Sequence, residues 1–352
     1  VIHTAYGIHQ TTSFHRKYYL RIHLYNRQFV HSIVVYYAGQ AAPPFQCYFL
    51  RPGHFHNTIK TWDGEKLMKS QERRTTSILI TIVLTILGSA VFAIAVHAIM
   101  PASVDAARLN SSLVMLWGFP CVAASYFVVL YTQCTVAVRY IGNRTRVSNL
   151  QTGIRFGLSF SLIYLFGMQE IMVEASPFAK YGFEYIKYQF FMGAGDAIPV
   201  FILCMIIALF TVKKNAQEDE VQDMKTTERF YAIGIIAISF LVERTVAYET
   251  GIIQSGCALY TVPCYLWTAL FGIILGSIYT VLFPVLSSER NSIQVPVRFI
   301  LTIGLNWIIF NSFIGLIMKG TITDVLLRSG LDVMVLFIAT FIIGKMATPG
   351  HS

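Results

Sequence analysis

Charge is what this sequence has least of. Only 13% of its 352 residues are Asp, Glu, Lys or Arg, against 55% hydrophobic. A soluble domain carries about a quarter charged residues, so a chain folded wholly in water is excluded. Chemical motifs are missing too. There is no G-x-x-x-x-G-K-[ST] loop, no G-x-S-x-G elbow and no H-E-x-x-H helix. No cofactor is expected, and no extended basic-aromatic surface suggests nucleic acid. Beyond the first 62 residues the histidines are His97 and His351, too few for a histidine-rich metal centre inside a membrane, so no metal site is expected. The six cysteines lack C-x-x-C spacing. Four lie in apolar runs and read as reduced packing residues, and a disulfide is weighed only for Cys257 and Cys264.

What is present is long apolar blocks. Runs of roughly 18 or more apolar residues mark membrane-spanning helices, and eight occur, at about 77–100, 111–138, 153–173, 188–212, 230–248, 258–283, 297–318 and 325–345. Buried helices of a large soluble protein would be shorter and would alternate with polar surface helices, which are absent. The fold class expected is an all-α integral membrane protein of about eight transmembrane helices, with the lipid bilayer as its first partner.

Residues 1–67 read differently. Positions 1–62 hold no Asp or Glu, seven of the nine histidines fall in the tail, and no Met precedes Met68. The aromatic and basic residues follow no helical or strand period, so the tail is expected to be no domain. A transit peptide is one reading. Translated upstream sequence, with "MKSQERR" at Met68 as the start, is the favoured one. The H-x-H pair of His54 and His56 carries no weight in such a segment.

Lys and Arg are retained on the cytoplasmic side of membrane proteins. With the segment before the first span inside, inner connections carry Arg73, Arg74, Arg139, Arg144, Arg146, Arg155, Lys213, Lys214, Lys225, Arg229, Arg290 and Arg298. The outer ones carry Arg108, Lys180, Lys187, Lys319 and Arg328. The expected location is a cytoplasmic (inner) membrane, multi-pass, with both termini cytoplasmic. Most of the net +9 belongs to the tail and these loops, and it implies anionic lipid as the partner.

The chain also repeats itself. At a constant offset of 143, residues 116–166 align with 259–309 without a gap, with nine identities in 51 positions. "LWGFPC" meets "LYTVPC", pairing Pro120 with Pro263. "LQTGIRF" meets "IQVPVRF", pairing Gln151 with Gln294 and Arg155 with Arg298. Further on, "FFMGAGDAIPVFI" matches "LLRSGLDVMVLFI", placing Asp196 on Asp332. The first and fifth spans show no convincing match. The organisation expected is two parallel four-helix repeats, 68–214 and 230–352, joined by a cytoplasmic linker at 215–229. Even-numbered halves enter the membrane in the same sense.

Ionisable groups inside a span cost roughly 2.5–3.5 kcal/mol each on insertion scales, so each needs a reason. Glu170, Asp196, Glu243 and Asp332 fall in the outer third, and Asn306 and Asn311 add polar groups to the seventh span. Asp196 and Asp332 are the sharpest feature, as ion or ligand sites at equivalent places in two halves. Asp332 also lies near enough to its expected helix start to be a simple cap. Glu243 and Arg244 are expected to pair, and so are Arg328 and Asp332, one turn apart. Pro120, Pro263 and Pro199 are helix-bend candidates. Arg155, Arg298, Gln151 and Gln294 read as interface anchors, the arginines reaching toward lipid phosphate. The G-x-x-x-G pairs 153/157 and 272/276 read as packing devices.

These features predict a small secondary carrier that moves a small solute or cation through an outward-facing acidic site. The alternative is a non-transporting sensor or an integral subunit of a larger complex. An enzyme is not expected, since no nucleophile–base pair is visible.

Overall fold

The computed structural model describes residues 6–8, 18–24, 31–37, 64–99, 110–168, 182–213, 223–287 and 294–346. It has two compact units, Val1–Arg73 and Arg74–Ser352. The first contains a three-stranded antiparallel sheet, β1 (Tyr6–Ile8), β2 (Tyr18–Leu24) and β3 (His31–Tyr37), in the order β1-β2-β3. Register sets Tyr6 opposite Ile22, and Leu20 opposite Val35. No strand period was visible there, but Tyr, Ile and Val dominate β2 and β3, and such residues suit a pleated backbone.

The second unit is all-α. Its helices are α1 (Gly64–Ile99, which starts in the first unit), α2 (Ser112–Trp117), α3 (Phe119–Gly142), α4 (Asn149–Gly167), α5 (Gly182–Thr211), α6 (Thr226–Glu249), α7 (Thr261–Leu286), α8 (Gln294–Phe299), α9 (Leu305–Ile317) and α10 (Ile322–Met346). A π-helical segment, Ile300–Gly304, joins α8 to α9 as one continuous rod. Among the described residues seven helices are long and apolar enough to cross a membrane. The remaining expected span, the third, at 153–173, falls on α4, whose 19 residues open with Asn149, Gln151, Thr152 and Arg155. Those polar turns shorten its apolar stretch below the other seven.

The helix ends correct three expectations. The run at 111–138 is not one helix, because Gly118, at a φ of 77°, breaks it in a conformation that costs other residues strain. Pro120 therefore stands in the first turn of α3, and Pro263 is likewise in the first turn of α7. Proline there lacks an N–H the helix would not have used, so neither proline bends a helix. Pro199 does lie inside α5, where it leaves the Gly195 carbonyl without its usual donor. Asp332 is not a cap either: α10 begins at Ile322, ten residues before Asp332, and the acid in its first turn is Asp324.

Packing is closest between α4 and α5 and between α6 and α7. Glycines make both seams. A Cβ on Gly276 would stand 2.7 Å from the Ile233 Cα, and one on Gly157 would stand 2.8 Å from the Phe201 ring, so these helices approach to backbone contact. Between the expected halves, α3 lies against α9 and α4 against α7. Numbered within each half, these are the second helix on the third and the third on the second. Not everything corresponds, since α6 is tightly joined to α7 while α1 is the least covered span. Only 22% of α1's span is buried, against 67% for α7; the buried positions are Ile86, Ser89, Ala90 and Ala93.

Candidate functional site

Three polar clusters lie inside the bundle. The first is built on α5, where "GAGD" brings two other helices to the acid. A Cβ on Gly193 would lie 2.8 Å from the Tyr164 carbonyl oxygen, and one on Gly195 would lie 2.8 Å from a Val96 methyl. The glycines thus seat α4 and α1 against α5. One residue beyond Val96, His97 places Nε2 at 2.6 Å from Asp196 Oδ1. The imidazole is 19% exposed and the carboxylate 1%. The Phe127 ring packs 5.6 Å from the imidazole, with Tyr126 and Tyr131 on either side of it. A carboxylate with so little water depends on the imidazole for its charge compensation.

The second cluster holds the other repeated aspartate. Arg244 of α6 grips Asp332 of α10 with two parallel bonds, Nε to Oδ1 at 2.7 Å and Nη2 to Oδ2 at 2.6 Å. Trp307 Nε1 donates to the same Oδ2 at 2.8 Å, and Arg244 Nη1 donates to the Tyr248 hydroxyl at 3.1 Å. The Phe240 ring lies 5.3 Å from the guanidinium carbon. Both charged side chains are wholly buried. One pairing expected from sequence is replaced and one is kept. Arg328 binds Asp324 at 2.7 Å, because α10 starts early enough to put an acid one turn before it. Arg244 does pair with Glu243, at 3.9 Å, more loosely than with Asp332.

The third cluster sits on the seam between α3, α4 and the π-helical rod. Asn306 Nδ2 lies 2.9 Å from Gln133 Oε1, 3.0 Å from the Tyr164 hydroxyl and 3.3 Å from Cys134 Sγ. Gln133 Nε2 donates at 2.9 Å to the carbonyl of Thr302, inside the π segment. A π turn loosens the backbone ladder and is found often at functional sites. Here it presents a main-chain acceptor to a side-chain amide.

Other sequence candidates fall elsewhere. Arg298 is only 6% exposed and donates to the Leu286 carbonyl at 2.8 Å and to Gln294 Oε1 at 3.1 Å. Arg155 donates to the Val281 carbonyl at 2.6 Å. Arg298 thus serves the C-terminal end of α7, where free carbonyls and the helix dipole favour a cation, and Arg155 reaches a carbonyl of its last two turns. Gln151 is exposed, and its backbone N–H is capped by Ser148 Oγ. Glu170 lies outside the described residues. Cys257 and Cys264 are joined in a disulfide, and Cys121, Cys134 and Cys204 are free thiols.

Sequence reasoning missed His97 as a partner, along with Trp307, Tyr248, Gln133 and Tyr164. A signal existed for the first: His97 and Arg244 are each a basic residue in the last third of their spans. Among the described residues no three His, Cys, Asp or Glu side chains group as metal ligands. Compared with protein-family models, with curated proteins and with solved structures, the chain matches none.

Proposed function

We propose that this multi-span membrane protein is a small secondary carrier whose acidic site is Asp196 with His97. The observation that carries the reading is the unequal pair of acids. Asp332 is neutralised by a fixed guanidinium, while Asp196 is held by one contact to an imidazole that remains partly accessible. A charge inside a membrane marks a solute or ion path by default. The helix bearing Asp196 carries Gly193, Gly195 and Pro199 within four residues of it, the residue types that mark site-forming helices of transporters. The inter-half seam at Asn306, with its π segment, supplies a second polar surface at mid-span. Inward arginine bias sets the proposed orientation, with both termini cytoplasmic and the Asp196 end outside.

The test is thermal unfolding of purified protein in detergent across pH, with a panel of monovalent cations, amines and small metabolites. A ligand that binds only the native fold stabilises it, by about 2.7 kcal/mol at a hundredfold excess over Kd. A shift seen in the wild type and lost in Asp196→Asn is the expected result. If no member of the panel moves the wild type, the carrier reading fails. The sensor or subunit reading then takes its place. It draws on α1, which turns Leu79, Leu84 and Val91 outward at 60%, 64% and 66% exposure, a face that lipid or a partner helix would cover.

A further inference from the structure

The geometry points to a proton as the ion this carrier binds, one per chain, on the His97–Asp196 pair; Arg244 is a built-in cation that withholds the equivalent acid from the cycle. The proposal rests on the carrier reading for the word carrier, but the proton site itself does not need it.

The two pairs occupy the same place in the two halves. In each, a base near the end of the first helix (α1, α6) meets an acid inside the fourth (α5, α10), and the acids are the aligned residues Asp196 and Asp332. The sequence showed no match between the first and fifth spans, so this correspondence is visible only in the contacts. What differs is the base. A guanidinium stays charged at any pH a protein meets, whereas an imidazole gains and loses its proton between about pH 5 and 8. Asp332 also has the Trp307 N–H, and its partner has the Tyr248 hydroxyl, with no exposure at either charged side chain. That half is closed to exchange. The first half has a single contact, and its imidazole edge is accessible.

Distance favours a shared proton over a shared metal. A nitrogen and an oxygen bound to one metal at about 2.0–2.2 Å each would stand roughly 3 Å or more apart, and these stand at 2.6 Å. The balance is simple. Protonated, the pair is imidazolium beside carboxylate with net charge zero; on losing one proton to water it becomes neutral imidazole beside carboxylate with net charge minus one. The carboxylate left behind has lost its counter-charge in a buried place, which gives α1 a reason to move relative to α5.

The groups facing the pair do not supply the charge change. Asp196 acts electrostatically on the buried phenols of Tyr126 and Tyr131 of α3, and the other ionisable groups acting on these phenols are the thiols of Cys134 and, for Tyr131, Cys204. Phenols and thiols are ordinarily neutral through this pH range.

The test is proton counting by potentiometric titration of the full chain in lipid, with infrared difference spectra of each variant against the wild type. Expected is one proton taken up between about pH 5 and 8 that is missing in His97→Gln, with matching carboxyl and imidazole bands lost in Asp196→Asn. The double variant Arg244→Gln/Asp332→Asn, which removes both charges together, should keep the wild-type count. Arg244→His, where it folds, should raise the count by one. An unchanged count in His97→Gln overturns the proposal, and so does a proton lost in the Arg244→Gln/Asp332→Asn double variant. The outcomes separate from those of the ligand panel. A stabilising ligand with no His97 proton sinks the proton site and leaves the carrier; a His97 proton with a flat panel does the reverse.

Discussion

Removing Arg244 tests the architecture most directly. In Arg244→Leu, Asp332 would keep only the Trp307 N–H as a partner for a charge with no exposure. In Asp332→Leu, the guanidinium would keep the Tyr248 hydroxyl and the Phe240 face. Breaking a buried pair by deleting one partner costs about 3–5 kcal/mol where the survivor keeps no opposite charge, as is the case for Asp332; Arg244 would still have Glu243 at 3.9 Å, so Asp332→Leu falls at the lower end. Replacing both by apolar groups removes the desolvation cost along with the attraction and is often neutral. Here it would leave Trp307 without its acceptor, a loss of about 1 kcal/mol. The two single variants should therefore each be less stable by about 3–5 kcal/mol, with the double within about 2 kcal/mol of wild type. Their coupling would be about 5 kcal/mol or more, far above that of ordinary neighbours. Denaturant unfolding in mixed micelles, followed by tryptophan fluorescence and extrapolated linearly, gives all four values. Additive losses would refute the reasoning, since they would mean that each residue acts through packing alone.

Three further outcomes are expected. Gly276→Ala drives a methyl to 2.7 Å from the Ile233 backbone and should destabilise by about 1–3 kcal/mol. Gly234→Ala on the facing helix meets nothing within 4 Å and should stabilise by up to about 1 kcal/mol; the same unfolding assay compares them, and equal signs would contradict the α6–α7 contact. A membrane-impermeant maleimide added to intact, non-reduced cells should label Cys121, which is exposed near the start of α3, the end proposed to face outward, and should leave Cys134 and Cys204 unmodified; labelling of Cys121 only in inverted vesicles would reverse the orientation. Asn306→Leu deprives Gln133 and Tyr164 of a partner in a site with no exposure and should cost about 1–3 kcal/mol, measured against Asn306→Gln.

The spans were legible because each depends on a local property, some 20 successive apolar residues, that survives whatever the neighbours do. Helix ends were less so. The run containing Pro120 looked like one span, and only the φ of Gly118 shows that the proline opens a new helix. The aspartates could be found by register, since Asp196 and Asp332 each follow a glycine-bearing stretch. Their partners could not, because His97 is 99 residues from Asp196 and Arg244 is 88 from Asp332. No helical spacing reaches that far, so the nearest charge on the same helix looked like the natural mate. For Arg328 that logic chose the wrong acid, as Asp324 lies one turn away on the other side. Arg155 and Arg298 illustrate the same limit: loop charge placed them at the inner face, but only packing shows that both address the end of α7.

The π-helical segment has a consequence for the two aligned segments of sequence. The two copies run without a gap from Arg155 to Tyr164 and from Arg298 to Trp307, so they contain the same number of residues. The first copy is α-helical throughout, whereas the second spends one residue on a wider turn at 300–304. Past that turn, each side chain of the second copy is rotated by roughly 100°, one residue's share of a 3.6-residue turn, relative to its counterpart. Identical spacing in sequence thus presents two different faces. Tyr164 points its hydroxyl at Asn306, while its counterpart Trp307 turns its N–H to Asp332. A single widened turn is thus enough to make two segments of matching sequence spacing present different faces to their neighbours.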